Sequence, residues 1–447
     1  MASGASAEPQ RSGLVSTSLG RWRHALAVLL PLLLLALPFA VTAASRDEIE
    51  LATALFARGD VDKAEAIVQR LRREEPPDLQ VIFLAGLILV ERGRYEEAVD
   101  EFRRVLARDP RLLRPRLELA RVLYLAKDYE AARYNFEQVL AAPIPEAVRQ
   151  NVLWFINQIR ERVPTFAFSL DVVSDSNPKQ ATSSQVVDIG GRLYVLTESS
   201  RAEEAFGLIL SGFGKLPLPA DPSWFATGYI ENQDYSGREL DQTYVQMLGG
   251  KHLNAGSHRV DLQVGGHYGA YQGDDLYSGA LARAADLIRI RPNLFVVLHG
   301  EAAQFEYGDF PYLDGWQFTG AAEMRYALSL TQSLHASIAY YHRTAEEPPY
   351  AFTGPSAAAR YSQEWSGGWI GSGLLQYSSY DYEANDPFFG LTRSDREWRW
   401  ELAIANRKLA FRGFLPRLTV GGIDHRSNIP LYDFQRTYVR VGVTKEF

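Results

Sequence analysis

The pattern of apolar and polar positions changes period once along the chain, near Pro164. Before it, apolar positions follow a helical spacing. After it, about 280 residues alternate between apolar and polar with a period of two. Phe166, Phe168, Leu170 and Val172 alternate with Ala167, Ser169 and Asp171, and Val260, Leu262 and Val264 alternate with Asp261 and Gln263. Trp316, Phe318, Met324, Tyr326 and Leu328 oppose Gln317, Thr319, Glu323, Arg325 and Ser329. Trp398, Trp400, Leu402 and Ile404 oppose Glu397, Arg399 and Glu401, which predicts a ladder of charge on the inward face. The runs between turn signals reach about nine to sixteen residues, longer than the five or six of a soluble sandwich, so the pattern predicts a membrane β-barrel. Turn signals at Ser236-Gly237, Gly256-Ser257, Gly273-Asp274, Pro311, Pro348-Pro349 and Asp386-Pro387 divide it into fourteen to sixteen antiparallel strands, an even number.

The helical half repeats. Ala64, Ala98 and Ala132 stand 34 residues apart, as do Val68, Phe102 and Phe136, and Leu71, Val105 and Val139; Pro76 and Pro110 close the first two units. A small residue lets paired helices approach, and the aromatic four positions later fills the neighbouring unit, so the pattern resembles tetratricopeptide repeats. Arg58-Gly59-Asp60 and Arg92-Gly93-Arg94 mark turns in which glycine accepts the left-handed conformation that ends a helix. A last amphipathic helix, Ala147 to Val163, carries Leu153, Trp154, Ile156 and Ile159 and is expected to cap the stack or to dock on the barrel mouth.

Three segments follow: a signal peptide over 1–44, a periplasmic helical repeat domain over 45–163, and an outer-membrane barrel over 164–447. Arg21 and Arg23 precede an apolar stretch from Ala25 to Val41, and cleavage is expected after Ala43 or Ala44. The prolines Pro31 and Pro38 shorten that stretch below a membrane span. Any passage through a bilayer therefore falls to strands. The last strand, Tyr438 to Phe447, alternates Val439, Val441, Val443 and Phe447 with Arg440, Gly442 and Thr444, a barrel-assembly signal that ends on Phe447.

Composition removes several functions. The chain of 447 residues has no cysteine, which excludes disulfides, thiolate metal sites, cysteine nucleophiles and a lipid anchor of its own. A formal charge of -7 with both signs interspersed gives no footprint for nucleic acid. His252, His258 and His267 lie in or beside one hairpin but show no metalloprotease spacing. A hydrolytic triad around His267 would need a serine and an acid at the same depth. Asp274 and Asp275, expected at a loop tip, supply too few ligands for calcium alone. No catalytic residue, cofactor or metal is expected. Arg283, Arg289 and Arg291, expected on one strand face, could steer an anionic client or pair with Glu323 and other lumen acids. Together with Arg325, Glu397, Arg399 and Glu401 they are the candidate lumen or client-binding residues.

Two stretches carry a family resemblance. The first strand leads into Ser174-Asp175-Ser176-Asn177-Pro178, expected at the barrel base, and the last hairpins carry Phe389-Gly390-Leu391-Thr392-Arg393-Ser394-Asp395-Arg396, Phe414-Leu415-Pro416-Arg417 and Arg426-Ser427-Asn428-Ile429-Pro430-Leu431-Tyr432-Asp433-Phe434. These resemble the surface lipoprotein assembly modulator family, which joins tetratricopeptide repeats to a fourteen-stranded barrel. The resemblance makes Ser176, Asn177, Arg393, Asp395, Arg396, Ser427, Asn428, Tyr432 and Asp433 family-motif residues. It implies a non-enzymatic outer-membrane translocator or assembly factor whose clients are proteins, lipoproteins above all. Its other partners would be the barrel-assembly machinery and outer-membrane lipid. The alternative is an outer-membrane exporter of a polysaccharide, a class that also fuses such repeats to barrels.

Overall fold

The computed structural model describes residues 43–73, 77–189, 192–197, 200–236, 240–256, 258–411 and 414–445. The signal segment up to residue 42, Pro76, Gly237, Ser257 and the terminal Phe447 lie outside the described residues. Seven helices come first among them: α1 (Ala43–Ala57), α2 (Val61–Leu71), α3 (Leu79–Glu91), α4 (Tyr95–Arg108), α5 (Leu113–Leu125), α6 (Tyr129–Val139) and α7 (Glu146–Arg162). By compactness the chain divides after Arg94, so α4 to α7 belong to the same unit as the strands.

In the first unit, Ile49, Ala52, Ala64, Val68, Leu71, Val81, Leu84, Ala85 and Ile88 form one buried core. In the second, the repeat positions are again the most enclosed: Ala98, Phe102, Val105, Ala132, Phe136 and Val139 are all buried. Phe136 stacks on Phe155 at 4.9 Å, and Tyr124 meets the same ring edge-on at 5.0 Å, so α7 caps the stack through an aromatic cluster.

Each helical hairpin ends its first helix in the same way. Gly59 and Gly93 take positive φ, and the next amide reaches five residues back, Asp60 to Leu55 at 3.0 Å and Arg94 to Leu89 at 2.9 Å. In the third unit Lys127 occupies the equivalent position at φ 64°, with Asp128 donating to the Leu123 carbonyl at 2.9 Å. A side chain in this conformation costs about 1 kcal/mol relative to glycine. Replacing Lys127 by glycine is therefore expected to stabilise the helices by roughly that amount, read as a higher denaturant midpoint in the helical circular dichroism signal.

The strands are β1 (Thr165–Asp175), β2 (Val186–Ile189), β3 (Arg192–Val195), β4 (Ala205–Pro217), β5 (Trp224–Tyr235), β6 (Gln242–Ala255), β7 (His258–Tyr271), β8 (Asp274–Arg291), β9 (Leu294–Phe305), β10 (Gly315–Ser329), β11 (Gln332–Arg343), β12 (Phe352–Glu364), β13 (Trp369–Asn385), β14 (Thr392–Asn406), β15 (Phe414–Ser427) and β16 (Phe434–Lys445). Fourteen form one closed antiparallel barrel, with β1 between β16 and β4, while β2 and β3 form a separate hairpin. Closure leaves the barrel without an edge. The outward face carries the apolar half of the alternation: Phe166, Val172, Val264, Ile338, Trp398 and Leu402 are exposed, as a wall that meets lipid requires.

Because β1 starts where α7 ends, the barrel has a helix end and an opposite end. The helix end closes β8–β9 and β10–β11 with two-residue turns, whereas the opposite end carries the long segment between β1 and β4. Running from the helices, β1 delivers Ser174 to Pro178 to this loop end, not to the base where the motif was expected. Asp274 also departs from expectation. Gln272 and Gly273 both take positive φ and form the turn, so Asp274 already begins β8.

Candidate functional site

The site assembles where the helices meet the barrel. Helix α6 touches both β1 and β10. These strands stand seven places apart in either direction round the fourteen-strand ring, so α6 lies across the helix-end mouth. Helix α4 rests on the β12–β13 turn and on the segment that follows β14. Gly368 in that turn takes φ 83°, a conformation that favours glycine, and a Cβ there would crowd Asn406 Oδ1 at 3.1 Å while meeting the Ala107 side chain of α4 at an ordinary contact distance of 3.6 Å.

One carboxylate fastens this arrangement. Glu364, the last residue of β12, is buried and accepts from three directions. Arg116 on α5 reaches it at 2.6 Å and 3.3 Å, Arg407 after β14 grips it with two bonds of 2.8 and 3.0 Å, and the Tyr134 hydroxyl on α6 donates at 2.9 Å. The Arg116 side chain is 0 % exposed and also donates to the Pro110 carbonyl at 2.9 Å and to Asn135 Oδ1 at 3.2 Å. Burial beside the Glu364 charge pushes the Tyr134 hydroxyl pKa up, so this phenol stays a donor. A planar fork is what lets two arginines share one buried carboxylate.

A second fastening lies at the end of α7. The Arg160 carbonyl accepts from Lys215 Nζ on β4 at 2.5 Å and from Arg259 on β7 at 3.1 Å. Two cations thus meet the negative end of the helix dipole. The Arg160 guanidinium stands 4.9 Å from the centre of the Phe295 ring and pairs with Glu137 on α6 at 2.8 Å. Burial pushes the Arg160 pKa down to about 10, although Glu137 favours its charged form. Burial opposes the Glu137 carboxylate, yet Arg133 and Arg160 outweigh it and hold that carboxyl below its usual range. Helix α7 therefore both caps the stack and docks on the barrel.

Within the barrel seven inward carboxylates each pair with an arginine. Arg283 meets Glu301 at 2.5 Å, Arg325 meets Glu323 at 2.7 Å, Arg399 meets Glu397 at 3.7 Å, and Arg360 meets Glu401 at 3.4 Å. Asp171 faces Arg417 at 3.4 Å, Asp261 faces Arg259 at 3.2 Å, and Asp395 faces Arg393 at 2.6 Å. Arg283 takes its partner from the adjacent strand rather than from Glu323. Arg283 and Arg289 stay on one face in continuous register with β9, but the register slips between Arg289 and Arg291, with Ile290 as the extra residue, so Arg291 lies beyond the break. Arg289 and Arg291 are exposed near the helix end.

The family-motif residues gather at the loop end. Ser176 binds Thr437 through backbone and hydroxyl, and Asn177 donates to the carbonyls of Ala181 and Gln435 at 2.8 and 3.1 Å. Asp175 before them is buried against Arg436, at 2.5 Å, and Tyr235, at 3.1 Å. Arg393 lies between the Tyr382 and Tyr432 rings at 4.6 and 3.7 Å, and Tyr432 donates to Asp386 at 2.9 Å. Asn428 bridges Thr392 and Ser394, Ser427 accepts from the Ile429 amide, and Asp433 closes the turn onto Pro430. Arg396 points outward and is exposed. The pattern thus fixes the β14–β15 hairpin and the β16–β1 seam.

The histidines divide. His252 stacks on Phe225 at 4.0 Å and binds Asp261 at 2.5 Å, while His258 binds Asp286 at 2.8 Å. His267 meets the Gln304 carbonyl at 2.6 Å among Tyr244, Tyr277 and Phe305. Asp275 accepts from the Tyr268 hydroxyl. Sequence reasoning missed Glu364, Arg407 and Arg116. Arg116 did carry a signal: it stands 34 residues after buried Ile82, so an arginine fills an apolar repeat position and demands a buried acid.

Known proteins bear on this geometry. A family model described as surface lipoprotein assembly modifier matches residues 166–447, and two tetratricopeptide repeat models match residues 49–112 and 89–142. Among curated proteins, the surface lipoprotein assembly modifier of Moraxella catarrhalis is 22% identical over 372 residues, covering 81% of this chain and 72% of its own. Surface lipoprotein assembly modifier 1 of Haemophilus influenzae is 22% identical over 401 residues, covering 85% and 80%. Among solved structures, OmpTdeltaL8 of Vibrio cholerae overlays 63% of this chain and 98% of its own at 9% identity, with a TM-score of 0.36. An anion-selective porin from Comamonas acidovorans overlays 64% and 99% at 11% identity, with a TM-score of 0.35. With the family model matching the barrel over residues 166–447, the chain belongs to the surface lipoprotein assembly modifier family.

Proposed function

We propose that this protein helps lipoproteins reach the outer surface of the outer membrane, with its helices in the periplasm and its barrel as the passage or template. Membership in a family whose relatives are named for this task supports the client class. The observation that carries the mechanism is α6 lying across the helix-end mouth, held by Glu364 and by the end of α7. An open diffusion pore has no use for a buried bolt. A barrel that opens for one kind of passenger does.

In this reading the helical repeats take an extended or helical segment of the client and raise its effective concentration at the mouth. Displacing α6 then gives access to a lumen whose paired charges neither trap nor repel a polypeptide strongly. The cycle contains no chemical step. His267, the strongest candidate for one, is engaged with a backbone carbonyl. The outward apolar belt meets outer-membrane lipid, and the barrel-assembly machinery inserts it.

The test combines metabolic labelling with an alkyne fatty acid and biotinylation of intact cells, with and without the gene. One or a few lipidated proteins are expected to lose biotin while keeping their cellular level. Unchanged access for every lipidated protein would contradict the proposal, and loss of a glycan layer alone would move the function to polysaccharide export.

A further inference from the structure

Glu231, on the inward face of β5, breaks the rule of the lumen. The inward carboxylates described above each face an arginine, but Glu231 has no cationic partner among the described residues. Its carboxylate is nonetheless held in place: the Tyr229 hydroxyl donates to Oε2 at 2.6 Å and the Gln233 amide donates to Oε1 at 2.8 Å. Those two bonds leave acceptor positions on both oxygens unused.

The space beside it has a defined shape. A cavity of about 200 Å³ opens there, lined by Glu231, Gln233, Thr243, Tyr244, Tyr271 and Tyr277. The Tyr229 and Tyr244 rings stand 5.9 Å apart at 54°, and Tyr244 lies directly across from Glu231 in the β5–β6 register. A fixed carboxylate beside aromatic faces, with amide and hydroxyl oxygens at the rim, is the set of acceptors that holds an organic cation. Glu231 is four residues from the loop-end terminus of β5, so the cavity lies in the half of the barrel away from α6.

We infer that this cavity is a receptor for a guanidinium or alkylammonium group, and that its natural ligand is an arginine or lysine side chain of a polypeptide in the lumen. The polypeptide source rests on the function proposed above; the cation chemistry does not. A free polyamine offers the same charged group without a backbone. The site would hold a passing basic residue at the exit half of the barrel and bias the chain against slipping back.

The test uses the full-length protein purified in detergent, titrated calorimetrically with acetylated triarginine amide, with the matching tricitrulline peptide and with spermidine. Triarginine is expected to bind, with an affinity that falls as salt is raised, and tricitrulline is not. Glu231→Gln is expected to weaken binding roughly tenfold or more, and Tyr244→Leu, which keeps the carboxylate, by a smaller factor. Retained heat-dependent gel mobility shows that each variant is a folded barrel. Equal binding to wild type and Glu231→Gln, or none to either, overturns the site whatever surface labelling shows. Tighter binding of spermidine than of triarginine overturns the polypeptide source. If deletion of the gene leaves lipoprotein exposure unchanged while Glu231-dependent binding persists, the cation site stands and the lipoprotein reading falls.

Discussion

Replacing Glu364 by alanine is expected to release the helices from the barrel mouth. The substitution removes the shared acceptor of Arg116, Arg407 and Tyr134, takes the charge partner from the Arg116 side chain, which is 0 % exposed, and breaks both bonds by which Arg407 grips that acceptor. Breaking a buried pair from one side costs about 3–5 kcal/mol, because the stranded charges keep their desolvation penalty. That cost falls on the contact between α5, α6 and the barrel, not on the strand ladder. Two readouts follow. Limited proteolysis of the purified protein should cut within the α4 to α7 segment in the variant and spare it in the wild type. In planar bilayers the variant should conduct more often than the wild type, because α6 no longer spans the mouth. Glu364→Gln keeps the shape and loses the charge, so an intermediate effect is expected. Unchanged protection and conductance would remove Glu364 from its role as the fastening.

Replacing Asp175 by alanine is expected to weaken the barrel itself. Asp175 ends β1 at the seam where the last strand meets the first, and it is buried, with Tyr438 of β16 and Ala205 of β4 opposite it in the register. Arg436 on β16 binds it with bonds of 2.9 and 2.5 Å, the Tyr235 hydroxyl on β5 donates at 3.1 Å, and the Asn177 amide donates at 3.0 Å. One side chain thus ties three strands and the first turn of the long loop. Its loss strands Arg436, again at about 3–5 kcal/mol. The temperature at which the protein shifts from folded to unfolded gel mobility should drop markedly, while the protease pattern of α4 to α7 below that temperature stays that of the wild type. Glu364 and Asp175 therefore have separable effects: one seats the helices and the other closes the cylinder.

Much of this fold is legible from local pattern. Lipid on one side and water on the other impose a period of two on every barrel strand, so Phe166 to Val172 and Trp398 to Ile404 announce their outward faces without any knowledge of partners. Helical stacking imposes the 34-residue recurrence in the same local way, and the positions it picks out, from Ala64 to Val139, are the enclosed ones. The fastening was not legible, because its partners stand 248 residues apart along the chain and no period connects them. Only the misplaced polarity of Arg116 hinted at it. The end at which Ser176 and Asn177 sit depends on the direction of β1 from the helices, and motif similarity carries no direction. The break between Arg289 and Arg291 comes from a register slip against β9, a property of the pair of strands rather than of β8 alone. Glu231 looks like any other alternating polar residue until the partners of its neighbours are known.

Protease shaving of intact cells decides whether this barrel and its helices put protein on the cell surface, as we propose. The surface proteomes to compare come from cells with the gene, cells without it, and cells carrying it back on a plasmid. One or a few surface proteins are expected to disappear on deletion, accumulate intact inside the cell, and return with the plasmid. A protein surface identical in all three, with or without a missing glycan layer, would contradict the proposal.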